Sequence, residues 1–290
     1  MPVGISFYIF QSFTYVLDVF FNKISPEKDA IKYFTFIAFF PQLVAGPIER
    51  ASTFLPQFNN LKQVTIDNFY TGLKIIIIGL FLKIFIADGI APLTDQIFAN
   101  YDTFNGGTLL LGAIGFMFQI YGDFAGYSLI AIGVAKIMDF DLMRNFNTPY
   151  FSLSIQDFWR RWHISLSSFF RDYVYIPLGG SRLNNATTNR NLTVTFTVSG
   201  LWHGANWTFI IWGLAHGSLL IIQRILPITV NKFIGWFSTM CLVLILWILF
   251  RSESVNDFYS YLSIIFLNPG IPDIGKDIII YSMYCFLLDC

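Results

Sequence analysis

The chain has 290 residues, of which 55% are hydrophobic, 19% aromatic and 12% charged, with zero formal net charge and a positive mean hydropathy. That balance argues against an ordinary soluble domain and for a membrane protein. The three cysteines, Cys241, Cys285 and Cys290, have neither metal-site spacing nor the even count of a disulfide framework, so cysteine chemistry is not expected.

Residues 1 to 17 are uncharged but lack a basic flank before them and a small-residue cleavage site after them, so they read as a span rather than a signal peptide. PVGISFYIF starts inside an apolar segment, and the last apolar run, 278 to 288, is too short to cross a bilayer. A fragment cut at both ends is the expectation, organised as a single domain over residues 1 to 290 because no linker or charge block divides it. The stretch YFTFIAFFPQLVAGPI (33 to 48) carries Pro41, Gly46 and Pro47, which predict a broken or re-entrant element. Residues 69 to 87 hold only Lys74 and Lys83 as charges and read as a span with snorkelling lysines. From 103 to 135 the only charge is Asp123, and the run predicts either two short helices or one strongly tilted one.

Residues 144 to 190 differ from the rest. Six arginines face two aspartates there, which places this stretch on the cytoplasmic side by the positive-inside rule. Within it, Ser154 and Asp157 have capping-box spacing. Trp159, Trp162, Leu166, Phe169 and Tyr173 then recur at gaps of three and four, which predicts one amphipathic helix stopped by Pro177 and the Gly179-Gly180 pair. His163 and Ser167 lie beside that stripe, one turn from Arg160 and Arg171. The next run, 191 to 223, carries no formal charge over 33 residues, more than one span needs, and a break near 200 to 206 is expected. Eighteen uncharged residues between Lys232 and Arg251 give the cleanest span.

Two histidine pentads, GLWHG (200 to 204) and GLAHG (213 to 217), share a GxxxG spacing that lets helices approach closely in lipid. His216 reads as a polar packing residue. His203, with Gly200, Gly204 and Asn206 around it and Trp202 and Trp207 beside it, fits packing or function equally. Asp123 reads as a buried carboxyl, bonded to Tyr121, Tyr127 or Ser128 or kept protonated, or else as a functional acid. The arginines of 160 to 190 suit phosphates or anionic headgroups alike. There is no GxSxG, HExxH, Walker A or GxGxxG sequence, and three scattered histidines make a metal site improbable.

The stretches FFPQLVAGPIERAS (39 to 52), YGDFAGYSLIAIG (121 to 133), DFWRRWHISLSSFFRDYVYIPLGGSR (157 to 182) and SGLWHGANWTFIIWGLAHG (199 to 217), in this order, resemble the membrane-bound O-acyltransferase family, and within it the alginate O-acetyltransferase branch. The resemblance covers residues 3 to about 225. It implies an all-α polytopic bundle with broken and interfacial helices around a central tunnel. The family's essential histidine falls on His203 and its second histidine on His163, both expected to face one cavity. The chemistry implied is acetyl transfer from a cytoplasmic thioester, acetyl-CoA, to hydroxyls of an exported polysaccharide, with His203 as general base and no bound cofactor or metal. Asn206, Trp202, Ser167, Arg171 and Asp123 are expected at the substrate, and Arg160, Arg161 and Arg182 at the donor phosphates. The expected partners are membrane lipid, the polysaccharide and an extracytoplasmic acyltransferase, in a bacterial inner membrane and without nucleic acid. D-alanyl transfer to teichoic acid is the alternative within the family, and a transporter or proton path through Asp123 and the histidines is the alternative outside it.

Overall fold

The computed structural model describes residues 5–43, 46–227, 231–274 and 276–289, and among these there is no strand. The helices in chain order are α1 (Ile5–Phe20), α2 (Ala30–Ile37), α3 (Ala51–Phe54), α4 (Ile66–Leu80), α5 (Asp88–Ala99), α6 (Gly106–Ile137), α7 (Ile155–Arg161), α8 (Ile164–Phe170), α9 (Asn185–His203), α10 (Trp207–Ile225), α11 (Lys232–Arg251), α12 (Val255–Leu267) and α13 (Lys276–Asp289). Among the described residues, four helical stretches are long and apolar enough to cross a membrane: Ile66–Ala99, α6, α10 and α11. The first joins α4 and α5 through a π-helical segment, Phe81–Ala87, and so runs beyond the span expected over 69 to 87. The run containing Asp123 is one continuous 32-residue helix, not two.

The described residues fall into two compact units. One comprises residues up to 85 with 122–147 and 163–169, and the other 86–121, 148–162 and 170 onward. In the first unit, helix α2 stops at Ile37 and a short turn, Phe40–Gln42, carries Pro41, as a broken element requires. Its core is aromatic: Phe39 lies 5.0 Å from both Phe54 and Phe140, with Phe36 buried beside them. Helix α1 buries polar side chains against this core, and each finds a partner. Gln11 donates to the Phe36 carbonyl at 2.6 Å, and Thr14 donates to the Gln11 carbonyl at 2.7 Å.

Helices α4 and α6 run antiparallel in this unit because four glycines let their backbones meet. A Cβ on Gly72 would sit 2.5 Å from the Gly133 carbonyl oxygen, and one on Gly126 would sit 2.7 Å from that of Gly79. Each helix carries its two glycines seven residues apart, two turns of one face. About one turn beyond Gly79 and Gly126, Lys83 Nζ pairs with Asp123 Oδ1 at 2.6 Å. Asp123 is therefore an exposed, ion-paired carboxylate. The buried carboxyl that the sequence suggested is not found at this position.

In the second unit α9 and α10 form an antiparallel hairpin. Gly200 approaches the Phe209 carbonyl, Gly213 the Phe196 carbonyl, and Gly217 the Phe196 side chain, so the glycines of both pentads serve close packing. Helix α9 is rich in Thr and Asn, and four of its hydroxyls are satisfied within the helix. Thr188, Thr193, Thr195 and Thr197 each donate to the carbonyl four residues earlier. Trp162, Trp247, Trp212 and Phe158 make an aromatic core, with Trp162 5.0 Å from Trp247 and 5.6 Å from Phe158.

The single amphipathic helix expected after Ser154 is broken. Its start is as read: Ser154 Oγ accepts from the Asp157 amide at 3.0 Å, and Asp157 accepts from Leu153. It ends at Arg161, with Trp162 extended, and α8 begins at Ile164. The stop at the glycine pair holds, since Gly179 and Gly180 take φ of 108° and 56°.

Replacing Gly126 with valine forces a Cβ against the Gly79 backbone, and overpacking of this kind costs about 1–3 kcal/mol. Gly126→Val is expected to lower the thermal midpoint in detergent by several degrees; an unchanged midpoint would show that α4 and α6 do not meet there.

Candidate active site

His203 closes α9, and the chain turns through Gly204 and Ala205 before α10 starts at Trp207. Asn206 holds this turn. Its Oδ1 accepts from the Thr208 amide at 3.3 Å, capping α10, and its Nδ2 donates to the Glu253 carbonyl at 2.8 Å. Both ends of the Asn206 amide are thus occupied by backbone, which makes it a support for the turn. The His203 ring sits in an aromatic cage, 4.7 Å from Trp202, 5.2 Å from Trp212, 5.1 Å from Phe250 and 6.2 Å from Phe209. It is partly exposed and makes no hydrogen bond with any described residue.

His216 stands in the matching pentad and differs in burial and bonding. It is 1% exposed, Trp159 Nε1 donates to its Nδ1 at 3.2 Å, and Trp212 packs 4.7 Å from it. That is the packing role its sequence context suggested. One pentad buries its histidine and bonds its Nδ1, and the other leaves its imidazole without a hydrogen bond to any described residue.

His163 lies at the break between α7 and α8 and is 3% exposed, with φ of +43°. A non-glycine residue in the left-handed region pays roughly 1–2 kcal/mol of backbone strain. The surrounding bonds over-determine it. Trp162 N–H closes α7 on the Phe158 carbonyl, Ile164 N–H donates to the Asn145 backbone carbonyl at 2.8 Å, and Ser167 N–H donates to the His163 carbonyl at 2.9 Å. Phe124 packs 4.5 Å from the imidazole. Ser167, half-buried, thus shares the first turn of α8 with His163.

The predicted arginines divide. Arg161 is committed, its Nε to Asp157 at 2.9 Å and its Nη1 to Thr148 Oγ1 at 3.1 Å. Arg171 pairs with Asp172 at 2.7 Å and is otherwise exposed. Arg160 and Arg182 are exposed and make no side-chain hydrogen bond or ion pair with the described residues. Trp202 belongs to the His203 cage, while Asp123 faces Lys83.

Sequence reasoning passed over two residues. Asn145 is 1% exposed and every polar atom of its side chain is bonded. Glu49 is 3% exposed, accepts from the Met143 amide, and its backbone carbonyl accepts from Thr14 at 3.3 Å. Burial pushes the Glu49 carboxyl from its ordinary 4.5 up to about 7, against the opposing pulls of that amide and Arg50. The signal was on hand for Glu49, an acid within the apolar-rich FFPQLVAGPIERAS stretch. Asn145 had none, since a lone Asn between Arg144 and Phe146 looks like any loop residue.

A family model described as membrane-bound O-acyltransferase matches residues 24–260. The chain is similar to a probable alginate O-acetylase of Azotobacter vinelandii, 44% identical over 88% of this chain and 52% of that protein. It is similar to a peptidoglycan O-acetyltransferase of Helicobacter pylori, 37% identical over 88% of this chain and 55% of that protein. A teichoic acid D-alanyltransferase of Bacillus subtilis is 31% identical over 75% of this chain and 58% of that protein. The chain spans about half the length of these relatives.

At a left-handed position glycine is favoured over alanine, whereas in an ordinary helix the order reverses. His163→Gly is therefore expected to unfold at a higher denaturant concentration than His163→Ala, by about 1 kcal/mol; the reverse order would contradict the positive φ. Because the folded-state pKa of Glu49 is raised, its contribution to stability is full below about pH 4.5 and is lost as pH rises through about 7. Thermal midpoints measured from pH 4.5 to 8 should fall for the parent, and Glu49→Gln should flatten that slope.

Proposed function

Since the chain belongs to the membrane-bound O-acyltransferase family, we propose that it carries the acyl-transfer histidine of an enzyme that moves an acetyl group from a thioester donor to hydroxyls of an exported polysaccharide. The observation that carries this reading is the contrast between the two pentads: His203 is caged by rings with its nitrogens open, and His216 is sealed and bonded. In the reaction His203 takes the proton of the acceptor hydroxyl as that oxygen attacks the thioester carbonyl. The carbon–sulfur bond then breaks, and the proton passes to the leaving thiolate. The aromatic rings around the imidazole limit the water that reaches it, which favours transfer over hydrolysis. His163, whose backbone is held in one strained conformation, would serve the reaction as an imidazole N–H donor.

With acetyl-CoA as donor, Arg160 and Arg182 have no competing partner for its phosphates, and Arg171 could exchange Asp172 for one. Asn206 serves by fixing the turn after His203, and Trp202 and Ser167 by lining the space at each histidine. Lys83 holds Asp123, which leaves Asp123 outside the proton transfer. The acceptor class follows the relatives named for alginate and peptidoglycan O-acetylation, and the reading places the chain in a bacterial inner membrane with an extracytoplasmic acyltransferase as its partner. Identity to the teichoic acid D-alanyltransferase is lower, so D-alanyl transfer is the second reading.

The test is acetyl transfer from radiolabelled acetyl-CoA in proteoliposomes. His203→Ala is expected to lower the rate by about 10²–10⁴-fold, while His216→Gln, which keeps an acceptor for Trp159, stays within a few-fold of the parent. An active His203→Ala variant would overturn the assignment.

A further inference from the structure

The bonds around Asn145 go beyond what the family assignment supplies. Asn145 precedes the break at 162–163 by eighteen residues in sequence, yet it bonds both amides that follow His163. Its backbone carbonyl accepts from Ile164 N–H at 2.8 Å. Its side-chain Oδ1 accepts from Ser165 N–H at 3.3 Å and from Ser165 Oγ–H at 2.6 Å. Its Nδ2 donates to Ser128 Oγ on α6 at 3.0 Å. Asn145, Ser128 and Ser165 are 1%, 2% and 0% exposed. Oδ1 thus fills the place of an N-cap for α8, supplied from a distant segment rather than from the preceding residue. That preceding residue is His163, whose φ of +43° is the strained conformation. Strain of this kind persists only where surrounding structure enforces it, and it concentrates at functional sites.

We propose that Asn145 is a positioning residue for the acyl-transfer reaction: with Ser128 and Ser165 it clamps the start of α8 and so fixes the left-handed backbone that aims the His163 imidazole. The inference rests on the role given to His163 in the proposed function. Ser128 ties the clamp to a membrane-spanning helix, so the imidazole is referenced to α6 and not to a free loop. A displacement of about 1 Å in a catalytic group can cost 10²-fold in rate, which sets the scale expected when the clamp is cut.

The experiment compares kcat, KM and thermal midpoint for reconstituted parent, Asn145→Ala, Asn145→Asp, Ser128→Ala and His163→Ala. Thr14→Val, a buried change elsewhere in the same unit, controls for loss of stability. Asn145→Ala is expected to lower kcat by about 10–100-fold at little-changed KM. Asn145→Asp keeps the acceptor for Ser165 and lets the Ser128 hydroxyl donate in return. It should recover most of kcat although a buried carboxyl lowers the midpoint. Ser128→Ala, which folds more readily, should show a smaller loss of kcat in the same direction. Parent-like kcat in Asn145→Ala, or kcat that simply follows the midpoint across all variants including Thr14→Val, overturns the inference. Parent-like transfer by His163→Ala overturns the role of His163 itself and the inference with it.

Discussion

A helix that breaks among apolar surroundings frees backbone N–H and C=O groups that lipid cannot satisfy, so every break needs partners from the protein itself. The architecture of this chain follows from how that need is met. Asparagine side chains do much of the work. Asn206 caps α10 and holds the Glu253 carbonyl across the turn after His203. Asn145 caps α8 after His163, and Asn191 takes the Leu178 and Gly180 carbonyls where the chain leaves the π-helical segment Arg171–Tyr175. The amide group suits the task because it donates and accepts without carrying a charge whose burial would cost several kcal/mol.

The two histidines of the proposed reaction sit where regular helix stops. A histidine within a closely packed helix pair can have a ring nitrogen taken by a neighbour, and His216 shows that outcome through the bond from Trp159 to its Nδ1. His203, at an interruption, makes no hydrogen bond with any described residue, while the turn bonded through Asn206 holds the backbone beside it. Glycine complements asparagine here. Close approach at Gly200 and Gly213 joins α9 to α10, and approach at Gly72 with Gly133 and Gly79 with Gly126 joins α4 to α6, leaving rigid helices on which the breaks are mounted.

Much of the membrane architecture was legible because it depends on composition over long windows. The apolar runs at 69–87, 103–135 and 191–223 and the uncharged stretch between Lys232 and Arg251 announce themselves by scarcity of charge, although the first helical stretch extends over 66–99 and takes in Asp67, Asp88 and Asp95. The break after His203 was legible from an uncharged run longer than one crossing together with Gly204 and Asn206. The break at His163 was not. The stripe from Trp159 to Tyr173 keeps helical periodicity straight through it, and the side chain that caps the helix after the break belongs to Asn145, far away in sequence. Periodicity records which face is apolar and is blind to a cap donated by another segment.

By itself the sequence determined the class of solvent, the approximate spans, the start of α7 at Ser154, the stop at Gly179 and Gly180 and, through its motifs, the family. Those properties depend on side-chain type and local spacing. Tertiary structure alone decided which of two similar pentads leaves its histidine open, that Asp123 answers Lys83, that Arg161 is already committed while Arg160 and Arg182 are not, and that His163 is held in a left-handed turn. Each of these depends on which groups from distant segments arrive within hydrogen-bonding or van der Waals reach, and a linear pattern of residue types does not contain that distance.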